Sequence, residues 1–477
     1  MRATASAAGE PDARPEPMSS VDTRPAAGQR PREVCIVGAG LMGMALGRRL
    51  ALDGHRVTVL ERDERIGGLA TWHDYGDFEW DRFYHVVLPT DRHLIGLLRE
   101  LDLEPDLCWR RTRTGFYVDG HVHSISDNLE FLRFPPLSLL SKARLAWTLL
   151  YGSRLEDWRR LESVSVEQWL VRTSGRATFE KLWKPLLLAK LGPHYSRVSA
   201  VFIWSYIKRL FSAREGSASA EHLGHVTGGY RQIFASLLEA IEHAGGRVET
   251  GRQVERIVTT ARDSISVVVD GESRAFDRVI CTSPVSVLRR IVDPDLLVVE
   301  EPERVPEYLG VVCVVLVTTE PVTPYYVVNI ADEGIPFTGV IGMSNVAPLE
   351  STSGRHLTYL PKYMLSTDEE LQASDEHFEK TFLEALKRIV PKFDEASLLS
   401  VHVNRASRVQ PLQVLNYSRT VPAVRSRHPG LFVLNTSGFV NATLNNNEVI
   451  RTVEAFHAEH ARDIAAPTGT DEHAIGR

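Results

Sequence analysis

The chain has 477 residues, 43% of them hydrophobic and 24% charged, with 55 Lys+Arg against 61 Asp+Glu and a formal net charge of −6. That length predicts two to three domains with a large core, and the composition excludes a disordered or fibrous chain. The acidic balance argues against a dedicated nucleic-acid binder, the four cysteines without CxxC spacing argue against a disulfide framework or a cysteine zinc site, and no run of about 18 apolar residues suggests a membrane span. A cytoplasmic, reducing setting is the expectation.

Residues 1–32 are rich in Pro, Ala, Arg, Glu and Ser and lack the apolar stretch of a secretory signal, so a disordered tail is expected there. Residues 34–37 (VCIV) form a short apolar strand that runs directly into Gly38-Ala39-Gly40-Leu41-Met42-Gly43. Apolar residues then recur at helical spacing to Leu50, Asp53-Gly54 ends the helix, and residues 56–60 (RVTVL) read as a second strand. Gly38 permits a tight turn, Gly40 lets the backbone approach a pyrophosphate, and Gly43 lets the helix pack closely on the strand, with the helix N-terminus facing the anion. Glu61 ends the second strand, where a carboxylate can accept both ribose hydroxyls and repel a 2′-phosphate. A dinucleotide is therefore the expected ligand, though this motif leaves NAD and FAD both open. Next, Glu61-Arg62-Asp63-Glu64-Arg65-Ile66-Gly67-Gly68 places a second diglycine just after the acid, where bare backbone could lie against phosphate or a flavin edge and Arg65 could pair with the pyrophosphate.

Residues 91–224 change character. Trp109, Trp158, Trp169, Trp183 and Trp204 recur with basic residues, Ser165 and Gln168 have capping-box spacing, and a mostly helical insertion is expected. Gly228-Gly229-Tyr230 then opens a helix with Ile233, Phe234, Leu237 and Ile241 on one face. Short strands follow at 253–258, 264–269 and 278–281, with an Asp270-Gly271 turn. Residues 290–400 form a second block, with a buried strand at 309–317 and an amphipathic helix through Phe378, Phe382, Leu386 and Ile389. A strand at 431–434, a Gly/Asn loop and a helix from about Asn447 to Arg462 close the pattern.

Four segments make the chain resemble the flavin amine oxidase superfamily, which includes protoporphyrinogen oxidases and phytoene-desaturase-like enzymes. They are residues 37–43 through Glu61, residues 65–68, Gly228-Gly229-Tyr230 with the strand Gln253-Val254-Glu255-Arg256-Ile257, and residues 431–442. The resemblance spans nearly all of residues 33–462. It implies an α/β, two-domain, Rossmann-like FAD-binding fold with an interleaved substrate domain of helices over a mixed sheet. The implied FAD-binding domain is discontinuous (33–90, 226–290 and 401–465), and the substrate domain comprises 91–225 and 291–400. FAD would be held without a covalent bond, since no cysteine stands in the C-terminal loop, by Gly38, Gly40, Leu41, Met42, Gly43, Glu61, Arg62, Arg65, Gly67, Gly68, Leu69, Val254 (through its backbone), Gly438 and Val440. Two departures stand out: Leu69 occupies a position that is often basic in the family, and residues 437–442 carry less glycine than its flavin loop.

The implied activity is that of an FAD-dependent oxidoreductase in which flavin N5 accepts a hydride from a substrate C–H, in a biosynthetic setting, with a small molecule as substrate. Candidate catalytic residues are His85, read as lying on a short apolar strand and able to relay a proton near neutral pH, and Lys362 with Tyr363, read as following a strand, the lysine matching by position one that holds a water near N5 in amine oxidases. Arg405, Arg408 and Gln410 are candidates for an anionic substrate group. Three other readings stay open: a redox-neutral isomerase or mutase acting on a sugar or lipid-linked sugar, an NAD dehydrogenase, and a non-catalytic flavin-binding partner. No metal-ligand spacing occurs. The Trp and Lys/Arg residues around Trp183 and Trp204 could lie on a membrane surface or admit a lipid-linked substrate, or simply form the core of a helical cap.

Overall fold

The computed structural model describes residues 31–126, 128–212, 222–261 and 264–466. The disordered tail expected over 1–32 thus falls outside the described residues as far as residue 30. Arg32 belongs to the fold: its carbonyl accepts from the Arg56 amide, and its guanidinium donates to the Ala465 carbonyl.

Strand Glu33–Val37, helix Leu41–Leu52 and strand Arg56–Leu60 form the βαβ unit read from the sequence. The two strands are parallel in a five-stranded sheet ordered 431–433, 278–281, 33–37, 56–60, 247–249. The sheet therefore draws on three widely separated stretches of chain. Its order reverses at the 33–37 strand, so the loops at the carboxyl ends of 33–37 and 278–281 flank a crevice, the usual place for a ligand in such a sheet. Helix Leu41–Leu52 packs between helices Gly229–His243 and Asn446–Ala465, and Met44, Leu46, Phe234, Leu237 and Ile450 fill the core there.

A seven-stranded mixed sheet forms the second layer, in the order 398–411, 308–318, 356–365, 339–342, 327–330, 114–118, 121–124. Its central strand, Tyr308–Thr318, is buried at every position. Val312, Val314 and Leu316 face the Asp375–Ile389 helix, while Val311, Cys313 and Val315 face Trp80 and Tyr359. Burial on both faces explains why this strand reads as one apolar run instead of alternating. The hairpin Thr114–Val118/His121–Ser124 lies inside the region expected to be mostly helical. Asp119 and Gly120 both take positive φ (52° and 75°), the turn signature that the sequence reading passed over.

Strand Leu107–Arg111 in the same region pairs with His222–Val226, whereas the stretch from Asn128 to Ser212 is mostly helical as expected, and Ser165 and Gln168 do form a capping box. Trp169, Trp183 and Trp204 are buried together with Phe179 and Ile207. Of the two readings given for Trp183 and Trp204, the core of a helical cap is the one the packing matches, and the membrane-facing reading is corrected. Among the described residues no helix is long and apolar enough to cross a membrane, and all four cysteines are free.

Candidate active site

The glycine loop is built as its spacing requires. A Cβ on Gly43 would stand 1.9 Å from the Gly38 carbonyl oxygen, so only glycine lets the helix start this close to the strand. Gly38 itself takes φ +109°. Gly40 differs: its φ is −70°, open to any residue, and an added Cβ would meet no protein atom within 4 Å. Nothing in the fold demands glycine there, and the space left beside it is what backbone approach by a phosphate needs. The second diglycine docks against this loop, with the Gly67 amide donating to the Ala39 carbonyl (2.9 Å) and an ideal Gly68 Cβ reaching within 3.3 Å of the Gly40 Cα. Gly67 and Gly68 both have positive φ (117° and 57°). Two loops whose touching residues, Gly40 and Gly68, are 28 positions apart (68 − 40) thus form one continuous strip of side-chain-free backbone.

Glu61 is buried beside the strip, its Oε2 accepting from the Ala39 amide (2.8 Å) and its Oε1 from the Asp63 amide (3.0 Å). A carboxylate has about four acceptor positions, so two remain for hydroxyl donors. The chain returns along the same edge: the Glu61 amide donates to the Glu249 carbonyl, and the Arg252 amide donates to the Glu61 carbonyl. Val254 then packs in one cluster with Val37 and Leu60. Leu41 and Met42 are buried in the first helical turn, and Leu69 is half-buried. Arg65 is exposed, and exposed Arg62 pairs with Asp63 (3.3 Å). Gly438 and Val440 follow the 431–433 strand. Gly438 is exposed with no protein atom near an added Cβ, and Tyr417 and Gln413 hold the backbone on either side of it. These positions line the carboxyl end of the parallel sheet and fit an extended dinucleotide.

Glu61→Ala is expected to weaken FAD binding about 10- to 100-fold in fluorescence titration of the apoprotein. The change frees two amides and removes the ribose acceptor, at about 1–3 kcal/mol per charge-assisted bond. Unchanged affinity would remove Glu61 from the site.

The candidate catalytic residues are redistributed. His85 lies on extended chain rather than on a strand. Its ring stands 4.9 Å from the Tyr230 ring, and Nδ1 is 3.9 Å from Asp81 Oδ2. Burial pushes its pKa down to about 4. Burial thus disfavours the charged imidazole, away from the near-neutral titration expected of a relay. Burial raises the neighbouring Asp81 to about 7 against the Tyr230 amide bond that lowers it. The Asp81 carbonyl accepts from the hydroxyls of Tyr359 (2.6 Å) and Tyr75 (3.3 Å).

Lys362 and Tyr363 lie within the strand His356–Leu365 rather than after it, so alternation sends them to opposite faces. Lys362 pairs with Glu370 (2.5 Å) on the face covered by the Asp375–Ile389 helix, away from the crevice. Arg405 is likewise tied to Leu371, Ala373 and Asp375 on that face. Arg408 is lowered first by burial, then by the fields of Arg290 and Arg62.

Tyr363 points inward, where its hydroxyl shares a hydrogen bond with that of Tyr84 (2.8 Å). Above its ring, 3.2 Å from the centroid, is the Lys190 Nζ. Lys190, Tyr84, Tyr363 and Tyr206 lie deep in the protein yet keep partial exposure, as groups lining an internal space do. Burial raises all three phenols, Tyr206 to about 12. It lowers Lys190 to about 7, and no carboxylate among the described residues offsets that. The sequence reading missed Lys190 and passed over Tyr84 next to His85. The available signal was a lysine on the apolar stripe of helix Lys184–Leu191, three residues after buried Leu187.

A parallel sheet with a glycine strip at its switch point, joined to a mixed sheet whose Tyr363 lies beneath the Lys190 amine of helix Lys184–Leu191, is the arrangement of a two-sheet dinucleotide-binding fold. The family described as flavin containing amine oxidoreductase matches residues 41–433, and the chain belongs to it. FAD is accordingly its cofactor. The flavin-dependent L-tryptophan oxidase RebO of Lentzea aerocolonigenes is 24% identical over 292 residues, covering 54% of this chain and 60% of that protein. A 15-cis-phytoene desaturase of an Oncidium hybrid is 23% identical over 295 residues, covering 55% and 48%. The aligned part thus spans only about half to three-fifths of either relative. Among solved structures, an oxidoreductase from Methanosarcina mazei superposes with a TM-score of 0.69 at 20% identity, covering 89% of this chain and 99% of that one. Cyclohexylamine oxidase from Brevibacterium oxydans superposes at 0.66 and 17%, covering 92% and 100%. At such identities the superpositions speak for the fold alone.

Proposed function

We propose that the chain oxidises a small molecule by removing a hydride and a proton, with residues 33–90, 226–290 and 401–465 holding FAD and residues 91–225 and 291–400 enclosing the substrate. The glycine strip, Glu61 and the Val254 and Gly438 edges hold the cofactor. When bound, FAD supplies a two-electron acceptor whose N5 takes a hydride from a substrate C–H.

The observation that carries this reading is Lys190, a buried amine over the Tyr363 ring with no carboxylate partner among the described residues. An amine poised near pH 7 is neutral in a useful fraction of molecules and takes up the proton that an amine or alcohol substrate releases on oxidation. The Tyr84–Tyr363 hydroxyl pair offers a donor and an acceptor to a polar substituent, and the surrounding aromatic side chains keep bulk water from the reacting atoms.

The test is anaerobic mixing of the flavin-loaded protein with amines, amino acids, hydroxylated metabolites and polyenes while flavin bleaching is followed. A substrate should bleach the flavin stoichiometrically, at a rate that rises with pH through about 7 as Lys190 loses its proton. Bleaching by no candidate, or turnover that needs only catalytic reductant, would overturn net oxidation, the latter in favour of isomerisation.

A further inference from the structure

An exposed apolar surface is displayed by the helix Leu139–Arg154 and the segment before it. Leu132, Leu139, Leu140, Trp147 and Tyr151 are 57%, 77%, 65%, 60% and 41% exposed. Leu140, Trp147 and Tyr151 share one outward stripe of the helix, with Leu139 at its edge, while Leu145, Thr148 and Gly152 face the core. The Trp147 and Tyr151 rings stack on the outside, with centroids 6.3 Å apart and planes inclined by 13°. A contiguous apolar patch on a protein surface marks a contact with something else.

Charge indicates the partner. From Leu132 to Leu155 the chain carries four basic residues and no acidic one, within a protein of net charge −6. Lys142 is turned inward and donates to the Leu132 carbonyl (2.7 Å), whereas Arg133, Arg144 and Arg154 are exposed around the patch. Aliphatic side chains flanked by Trp, Tyr and Arg, with the nearest carboxylates in sequence beyond the ends of the segment at Glu130, Glu156 and Asp157, match the boundary between acyl chains and anionic headgroups. The last turn of the helix, at Ser153 and Arg154, also borders a cavity of about 350 Å³ that is lined as well by Asn441, Thr443 and Asn445, which follow the 431–433 strand.

We propose that this face seats the protein peripherally on an anionic bilayer, with Leu139, Leu140, Trp147 and Tyr151 entering the headgroup–acyl boundary and Arg133, Arg144 and Arg154 pairing with lipid phosphates. The proposal is independent of the reaction catalysed.

The experiment is co-sedimentation of the full, flavin-loaded chain with vesicles of equal parts phosphatidylcholine and phosphatidylglycerol, and with phosphatidylcholine alone. Wild type should pellet with the anionic vesicles and partition more weakly to the neutral ones. Leu140→Glu/Trp147→Glu should lower partitioning at least about tenfold while leaving flavin content and Tm unchanged, because both side chains are exposed. Arg133→Glu/Arg144→Glu should remove the preference for anionic vesicles, and it decides the matter should the first pair fail to fold. Wild type that stays in the supernatant with both vesicles overturns the proposal. So does partitioning that neither pair alters, or a dimer that Leu140→Glu/Trp147→Glu converts to monomer, which would assign the face to a second copy of the chain.

Discussion

Gly40→Val is expected to yield a folded protein that retains no flavin. The two halves of that expectation rest on separate observations. The backbone at Gly40 has φ −70°, and an added Cβ would meet no protein atom within 4 Å, so the fold tolerates a side chain. The residual cost is about 1 kcal/mol for a poor helix N-cap. That same space is where the proposed site places the pyrophosphate, and a branched side chain there would block it. FAD affinity should fall more than about a hundredfold, a loss of at least about 2.7 kcal/mol, while circular dichroism and apoprotein Tm change little. Gly43→Ala is the control for a fold-breaking glycine. Its Cβ would stand 1.9 Å from the Gly38 oxygen, and a destabilisation of about 3 kcal/mol or more is expected from overpacking. Stoichiometric flavin in purified Gly40→Val would remove the nucleotide from this loop.

Lys190→Met should move activity and stability in opposite directions. Methionine fills a similar volume without an amine, so the Tyr84–Tyr363 contacts survive. Flavin reduction by substrate should slow about 10²- to 10⁴-fold, the usual contribution of a positioned general base, and its inflection near pH 7 should disappear. Stability should rise, because wild type holds an amine in a place that disfavours its charged form. The pKa falls from 10.5 in the unfolded chain to about 7 in the fold. Below about 7 the amine is charged in both states and the full penalty applies. Between about 7 and 10.5 the unfolded state binds the additional proton, so wild-type stability climbs with pH, and above 10.5 the penalty is gone. The variant's advantage should therefore be largest below pH 7, on the order of 2 kcal/mol once partial solvent access is allowed for, and vanish at high pH. Thermal melts across pH and stopped-flow reduction measure the two effects. A variant equal to wild type in both would exclude Lys190 from the reaction.

Strain at an active site for the sake of chemistry is a recurrent trade, and the interior around Lys190 fits it. Asp81, raised to about 7, and His85, lowered to about 4, sit where burial outweighs their partners. Both flank the Gly229–Tyr230 turn, where an ideal Gly229 Cβ would meet Asp81 Oδ1 at 2.8 Å. The return of the chain to its parallel sheet and the polar interior therefore meet at one carboxyl group.

The backbone geometry of the proposed cofactor half of the site was legible in the sequence. A strand, Gly38-x-Gly40-x-x-Gly43, a helix, a second strand and Glu61 act through neighbours a few residues away, and backbone geometry dictates what each glycine does. The approach of Gly67-Gly68 to Gly40 could be anticipated because both loops follow strands whose order the βαβ rule sets. Side-chain facing in the second half depended on which strands paired and on contacts between segments as distant in the chain as Tyr84 and Tyr363. Pairing of 356–365 with 308–318 turned Tyr363 toward Tyr84 and Lys362 toward Glu370. Packing of the helical block buried Trp183 and left Trp147 outside. Short-range pattern thus determined the nucleotide strip, whereas tertiary structure decided which lysine faces the interior and which tryptophan faces solvent. A strand or helix presents a face only once something is packed against the other.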